Sequence, residues 1–186
     1  EMETMWELQE LSDANDHAGQ LACFLGAGAY NHYIPTTVNY ALSRGEFYTA
    51  YTPYQPEISQ GTLQAIFEYQ SMVCALTGME ASNASHYDGA TSLAEAAMMA
   101  VAVGRGARKK VLLSPAVHPE YRAVVRTYTQ GMGLAITGDQ DLKADLPDLL
   151  AMLDQDTAAL AVQTPNFFGQ LENLQGLADK VHAAGA

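Results

Sequence analysis

Basic residues are scarce in this sequence: nine Lys and Arg stand against 21 Asp and Glu, a formal net charge of −12. A polyanion would be repelled by such a chain, so no nucleic acid is expected as a partner. Arg105, Arg108, Lys109 and Lys110 form the one basic cluster, which reads as a solvated helix end leading into a strand. Cysteine is rarer still. Cys23 and Cys74 stand far apart, without CxxC spacing or a neighbouring histidine pair, so neither a zinc site nor a disulfide framework is indicated. A reducing, cytoplasmic compartment is the expectation. No apolar run approaches the length of a membrane span, and no leader-like segment opens the sequence, so no membrane partner is expected. Familiar chemical signatures are missing as well. Asn31 stands where a dinucleotide fingerprint beginning at Gly26-Ala27-Gly28 would need glycine, and neither a Walker loop nor a GxSxG elbow occurs.

What is present suits a folded domain: 186 residues, 48% hydrophobic and 16% charged, enough to bury a core. The first third reads as helix and loop, with an amphipathic helix over 1–16, an aromatic loop through His32 and Tyr33, and a short helix over 35–43. A loop at 48–56, rich in Tyr, Thr and Pro, precedes a helix that begins near Ser59 and carries Leu63, Ile66, Phe67, Met72, Val73 and Leu76 until Gly78 ends it. Short strand-like runs then alternate with helices. Strands are predicted at 81–85, 111–114, 134–137 and 158–163, and helices at 91–103, 119–130, 146–154 and 174–184. This alternation predicts an α/β fold with a parallel sheet between two helical layers, ligands lying at the carboxyl ends of the strands. The expected division is 1–57, helices and interface loops, and 58–186, part of a large α/β domain. Glu1 opens within a helix and Ala186 follows a helix-ending glycine, so the fold is expected to be incomplete at both ends.

Three loops at that edge hold candidate chemistry. Tyr87-Asp88-Gly89-Ala90-Thr91-Ser92 opens an alanine-rich helix, where backbone N–H groups and two hydroxyls suit either an anion site or an ordinary helix cap. His118, before Pro119, suits either a planar cofactor's face or the cap of the next helix. The segment 163–169, Gln-Thr-Pro-Asn-Phe-Phe-Gly, offers polar groups on a turn that Pro and Gly alone would explain.

The string Tyr51-Thr52-Pro53-Tyr54-Gln55-Pro56-Glu57-Ile58-Ser59-Gln60-Gly61 resembles the P-protein family of the glycine cleavage system, in its separate subunit 1 or amino-terminal half. The resemblance continues through Phe24 to Gly28, Tyr30 to Pro35, Asp88-Gly89-Ala90-Thr91, His118-Pro119 and Gln163 to Gly169, nearly the whole chain. It implies the fold type I pyridoxal-phosphate architecture, a three-layer α/β/α sandwich. It also implies glycine decarboxylation on pyridoxal phosphate, with aminomethyl transfer to the lipoyl arm of the H-protein. Carried over by position, Gly89, Ala90, Thr91 and Ser92 correspond to the phosphate-cradling helix start and His118 to the residue stacked on the pyridine ring. Asn166 lies in the loop approaching the ring hydroxyl. Asn31, Tyr51, Thr52, Tyr54, Gln55 and Glu57 would belong near substrate at the subunit interface.

The chain departs from that pattern in its lysines. Schiff-base chemistry needs one on a loop facing the cofactor, whereas Lys109 and Lys110 lead into a strand, Lys143 lies in a polar turn and Lys180 on a helix face. No metal site and no catalytic residue is assigned. In two-subunit members of the family, subunit 2 holds the lysine. The expectation is therefore a noncatalytic subunit of a heterotetrameric glycine decarboxylase, its cofactor held by subunit 2 and the 89–92 loop keeping weak, millimolar anion binding. Two alternatives remain: another fold type I enzyme, such as a desulfurase or aminotransferase, or a noncatalytic interaction module.

Overall fold

The structure, a computed structural model, describes residues 1–26, 30–48 and 52–186. Two compact units divide it, Glu1–Ile34 and Pro35–Ala186.

The first unit holds one long element, α1 (Met2–Asp13), whose Met2, Met5, Trp6, Leu8 and Leu11 all stay exposed. The second begins with α2 (Thr36–Leu42) and the single turn α3 (Gly45–Tyr48). Helix α4 (Gln60–Thr77) follows and ends on Gly78 at φ 72°, the left-handed conformation that glycine adopts without a Cβ clash. Helix α5 (Gly89–Val103) leads to β1 (Lys110–Leu113), α6 (Pro119–Thr129), β2 (Ala135–Thr137), α7 (Leu146–Ala151), β3 (Thr157–Ala161) and α8 (Leu177–Ala183).

The three strands form one parallel sheet in the order β2-β1-β3. Val111 pairs with Ile136 and Ala159, and a register shift between Lys110 and Val111 marks the β3 side. The crossovers from β1 to β2 and from β2 to β3 run in opposite directions across the sheet. Right-handed connections therefore place α6 and α7 on opposite faces, which gives the three layers. Strand alternation explains the core. Val111 and Leu113 point into a cluster with Ala94, Ala97 and Val101 of α5 and Val125 of α6, while fully buried Leu112 turns to the other face. The small Ala90, Ala94 and Ala97 line the buried stripe of α5 and let its backbone come close to its neighbours.

One predicted strand is absent. Residues 81–85 form no ladder: Asn83 Oδ1 accepts from Ser85 N–H (3.1 Å), Ser85 takes φ 97°, and the Ser82 carbonyl accepts from Gln70 Nε2 (2.5 Å). Side-chain amides of Asn83 and Gln70 bind the backbone groups that a strand partner would have taken. Helices α7 and α8 are also shorter than expected. Asp154 turns to accept from Asp156 N–H and Thr157 Oγ1–H, and Gly176 at φ 67° sets the later start of α8.

Candidate functional site

Two hydrogen bonds join the loops that leave β1 and β3 at the carboxyl edge of the sheet. His118 N–H donates to Gln163 Oε1 (2.9 Å), and Phe167 N–H donates to the Ala116 carbonyl (2.9 Å). The Thr164–Pro165 peptide in the second loop is cis. His118 is the N-cap of α6, with its Nδ1 accepting from Glu120 N–H (3.2 Å); this bond leaves the proton of the neutral ring on Nε2. Its half-buried ring meets Phe167 edge-on (5.0 Å, 79°) and Tyr121 at a tilt (5.1 Å, 34°). These are favourable aromatic geometries and they fix the imidazole.

Tyr121 connects this ring cluster to the start of α5. A Cβ on Gly89 would lie 2.6 Å from the Tyr121 hydroxyl oxygen, so any larger residue there requires the Tyr121 side chain to shift. The helix start itself is closed by its own cap. Asp88 Oδ1 accepts from Thr91 N–H (2.7 Å), and Asp88 N–H donates to Thr91 Oγ1 (3.3 Å), completing a capping box. The hydroxyls of Thr91 (3.1 Å) and Ser92 (2.8 Å) both donate to the Asp88 carbonyl. The backbone N–H of Thr91, followed by the Thr91 side chain, holds the Asp88 carboxyl below the usual carboxylate range.

The remaining predicted residues are spread more widely. Asn166 is buried, and its side chain is committed to its own turn: Oδ1 accepts from Phe168 and Gln170 N–H (3.0 Å each), and Nδ2 donates to Glu172 Oε1 (2.7 Å). Thr52, Tyr54, Gln55 and Glu57 are exposed on a turn where Tyr54 N–H donates to the Thr52 carbonyl (2.8 Å). The side chains of Thr52, Gln55 and Glu57 make no hydrogen bond or ion pair to the His118 cluster. Asn31 belongs to the first unit, where it borders a shallow cavity of about 500 Å³ with Cys23, Phe24 and Tyr30. Tyr51 lies outside the described residues.

Sequence reasoning missed Tyr121 and a buried ion-pair group. Asp139, just after β2, accepts from Arg122 Nη1 (2.9 Å) and Arg126 Nη2 (2.5 Å), while Arg122 Nε holds the Val117 carbonyl (3.0 Å) and thereby the residue before His118. Burial pushes the Asp139 carboxyl up, but hydrogen bonds from Arg126 and Arg122, with their charges, outweigh it and leave it below its ordinary value. The signal was available in outline, because Arg122 and Arg126 are four apart on one helix face.

A family model described as Glycine cleavage system P-protein matches residues 1–186. The chain belongs to this family. It is 57% identical over its whole length to a probable glycine dehydrogenase (decarboxylating) subunit 1 of Desulforamulus reducens, and 54% identical to the protein of that name from Thermomicrobium roseum. In each case it spans 42% of the relative's length. Among solved structures, a crystal structure of glycine decarboxylase (P-protein) in inhibitor-bound form matches all of this chain and 41% of its own, at 44% identity and a TM-score of 0.85. The fold is thus that of the P-protein, fold type I.

The family is pyridoxal-phosphate-dependent, and such a group needs an anion seat, a ring face and a Schiff-base lysine. The start of α5 does not offer it an open anion seat. The N-terminus of α5 already holds a carboxylate, and its two hydroxyls are turned inward. Lys110 Nζ binds Asp154 Oδ2 (2.5 Å) and the Met152 carbonyl (2.7 Å) at the opposite, amino edge of the sheet. Lys109 precedes β1 at that same edge, and Lys143 and Lys180 are exposed.

Proposed function

We propose that this chain is part of subunit 1 of a two-subunit glycine decarboxylase. The complex would decarboxylate glycine and pass the aminomethyl group to the lipoyl group of the H-protein. The observation that carries this reading is 57% identity, over the full chain, to a relative named as subunit 1. Subunit 2 then supplies the Schiff-base lysine and holds the pyridoxal phosphate in a heterotetramer. This division is supported by the self-capped start of α5, where Asp88 Oδ1 accepts from Thr91 N–H. Two unpaired cysteines, Cys23 and Cys74, agree with a cytoplasmic setting. Among the described residues no helix is long and apolar enough to cross a membrane.

In this reading the chain's own residues position and enclose. The Gln163–His118 and Phe167–Ala116 bonds tie the loops after β1 and β3 into one edge, and the Tyr121 side chain reaches from it to Gly89. The exposed 52–57 turn, with Tyr54, Gln55 and Glu57, is the segment offered to the partner and to glycine.

The test is reconstitution. Full-length subunit 1, subunit 2 and lipoylated H-protein should together exchange bicarbonate into the carboxyl of glycine, while subunit 1 alone should show neither exchange nor an internal-aldimine absorption band. Subunit 2 reaching full exchange unaided would remove the proposed role, as would a borohydride-reducible aldimine on subunit 1.

A further inference from the structure

We infer that Asp88 acts as a built-in anion, occupying the seat at the start of α5 that would otherwise receive a phosphate and thereby closing this chain to phosphate-bearing cofactors. The inference deepens the subunit 1 reading and rests on it, because it names the residue that keeps the cofactor on the partner.

Three observations converge on that seat. The first is occupancy: Asp88 Oδ1 lies 2.7 Å from the Thr91 nitrogen, within the range of a charge-assisted bond, so it already uses one of the free N–H groups of the helix start. The second is the direction of the hydroxyls. Thr91 Oγ1 and Ser92 Oγ are the two side-chain donors of the loop, and both are spent on the Asp88 carbonyl. The third is steric. The Tyr121 hydroxyl stands 2.6 Å from where a Gly89 Cβ would be, so phenol fills space on that side of the turn.

Charge adds to these. The Asp88 carboxyl, held below its usual range by the Thr91 N–H, is ionised at neutral pH, and a phosphate beside it would meet like charge where the helix dipole would otherwise attract it. A helix start normally favours an anion; here the protein supplies the anion itself. The millimolar phosphate affinity expected of an open loop is accordingly not expected of this one.

The experiment separates the cap from the charge. Glycine is tolerated as an N-cap, so Asp88→Gly frees the Thr91 N–H and removes the carboxylate at small cost to the helix, and Asp88→Asn keeps a capping oxygen while removing the charge. Full-length subunit 1 is assembled with its cofactor-loaded partner, and inorganic phosphate bound per pair is counted by equilibrium dialysis at low ionic strength. The partner's own phosphate seat is then already filled. Wild-type pairs should take up no phosphate at millimolar concentrations, Asp88→Gly pairs one saturable equivalent, and Asp88→Asn pairs phosphate more weakly. Should the glycine variant fail to assemble, uptake by the asparagine variant decides in the same sense. Saturable uptake by the wild type, or none by either variant, overturns the inference. Failure of the subunit 1 reading would show instead as absent exchange activity in the wild-type pair, a separate measurement.

Discussion

Asp139 shows how much one buried carboxylate can decide in this chain. Its side chain is only 3% exposed and faces two guanidinium groups, Arg122 at 15% and Arg126 at 41% exposure. Removing the charge leaves two cations facing each other, so Asp139→Asn should cost about 3 kcal/mol, the lower end for breaking a buried pair, because Arg126 reaches water. Since the folded pKa is lowered, the stabilisation is complete above the unfolded value of about 3.9 and is lost as pH falls through the folded one. Urea melts should therefore show the wild type losing stability below about pH 4 more steeply than the variant. Parallel curves would assign the acid sensitivity to other groups. Gly89 is the second decisive residue. Gly89→Ala must displace the Tyr121 ring, at about 1–3 kcal/mol. Adding Tyr121→Phe removes the nearest atom and should restore part of the loss in thermal melts, whereas purely additive losses would show that the hydroxyl is not the obstacle.

At the scale of elements, α5 is the piece on which site and core both depend. Its buried stripe of Ala90, Ala94, Ala97 and Val101 packs toward β1 and α6, while its first residue meets Tyr121. Ala94 is fully buried, so Ala94→Leu should overpack the interface and destabilise by about 1–3 kcal/mol. The rigid connection from α5 through Tyr121 to His118 predicts a second effect. Under the subunit 1 proposal, the same variant in the reconstituted complex should slow glycine exchange without abolishing it, and unchanged kinetics would show that the His118 edge is not positioned by α5. The segment 81–85 makes the opposite point. Small residues in a short run satisfied a strand pattern, yet Asn83 offered the backbone a turn of its own, and among the described residues no strand pairs with it.

At the scale of the whole molecule, exposed apolar side chains dominate. In the second unit α4 presents Phe67, Met72 and Leu76, the last 86% exposed, and Phe47 and Tyr54 are exposed nearby in the sequence. In the first unit every large apolar side chain of α1 is open to solvent. Each unit thus leaves large apolar side chains open to solvent, the kind of surface that in soluble proteins marks a place of association. The 186-residue chain alone should therefore bind a hydrophobic dye and grow in light-scattering size with concentration. A monomer of constant size that melts cooperatively would contradict this.

Much was legible from the residues alone because it rests on local chemistry. The residue pattern indicates every helix except the single turn α3, and three of four strands; Gly78 and Pro119 mark helix ends, and specific strings such as 51–61 carry the family resemblance. From the sequence, the N-terminal loop of α5 suits either an anion site or an ordinary helix cap, since a helix start favours both. Which anion sits there was beyond the sequence. Asp88 three residues before Thr91 is compatible with a cap or with a phosphate loop, and only the folded backbone brings Oδ1 to the Thr91 N–H and turns both hydroxyls inward. The same holds for Tyr121 above Gly89, for Asn166 spent on its own turn, and for Asp139 between two arginines. These contacts join separate turns and crossovers, and their partners are selected by packing and desolvation in three dimensions, which spacing along a chain does not encode.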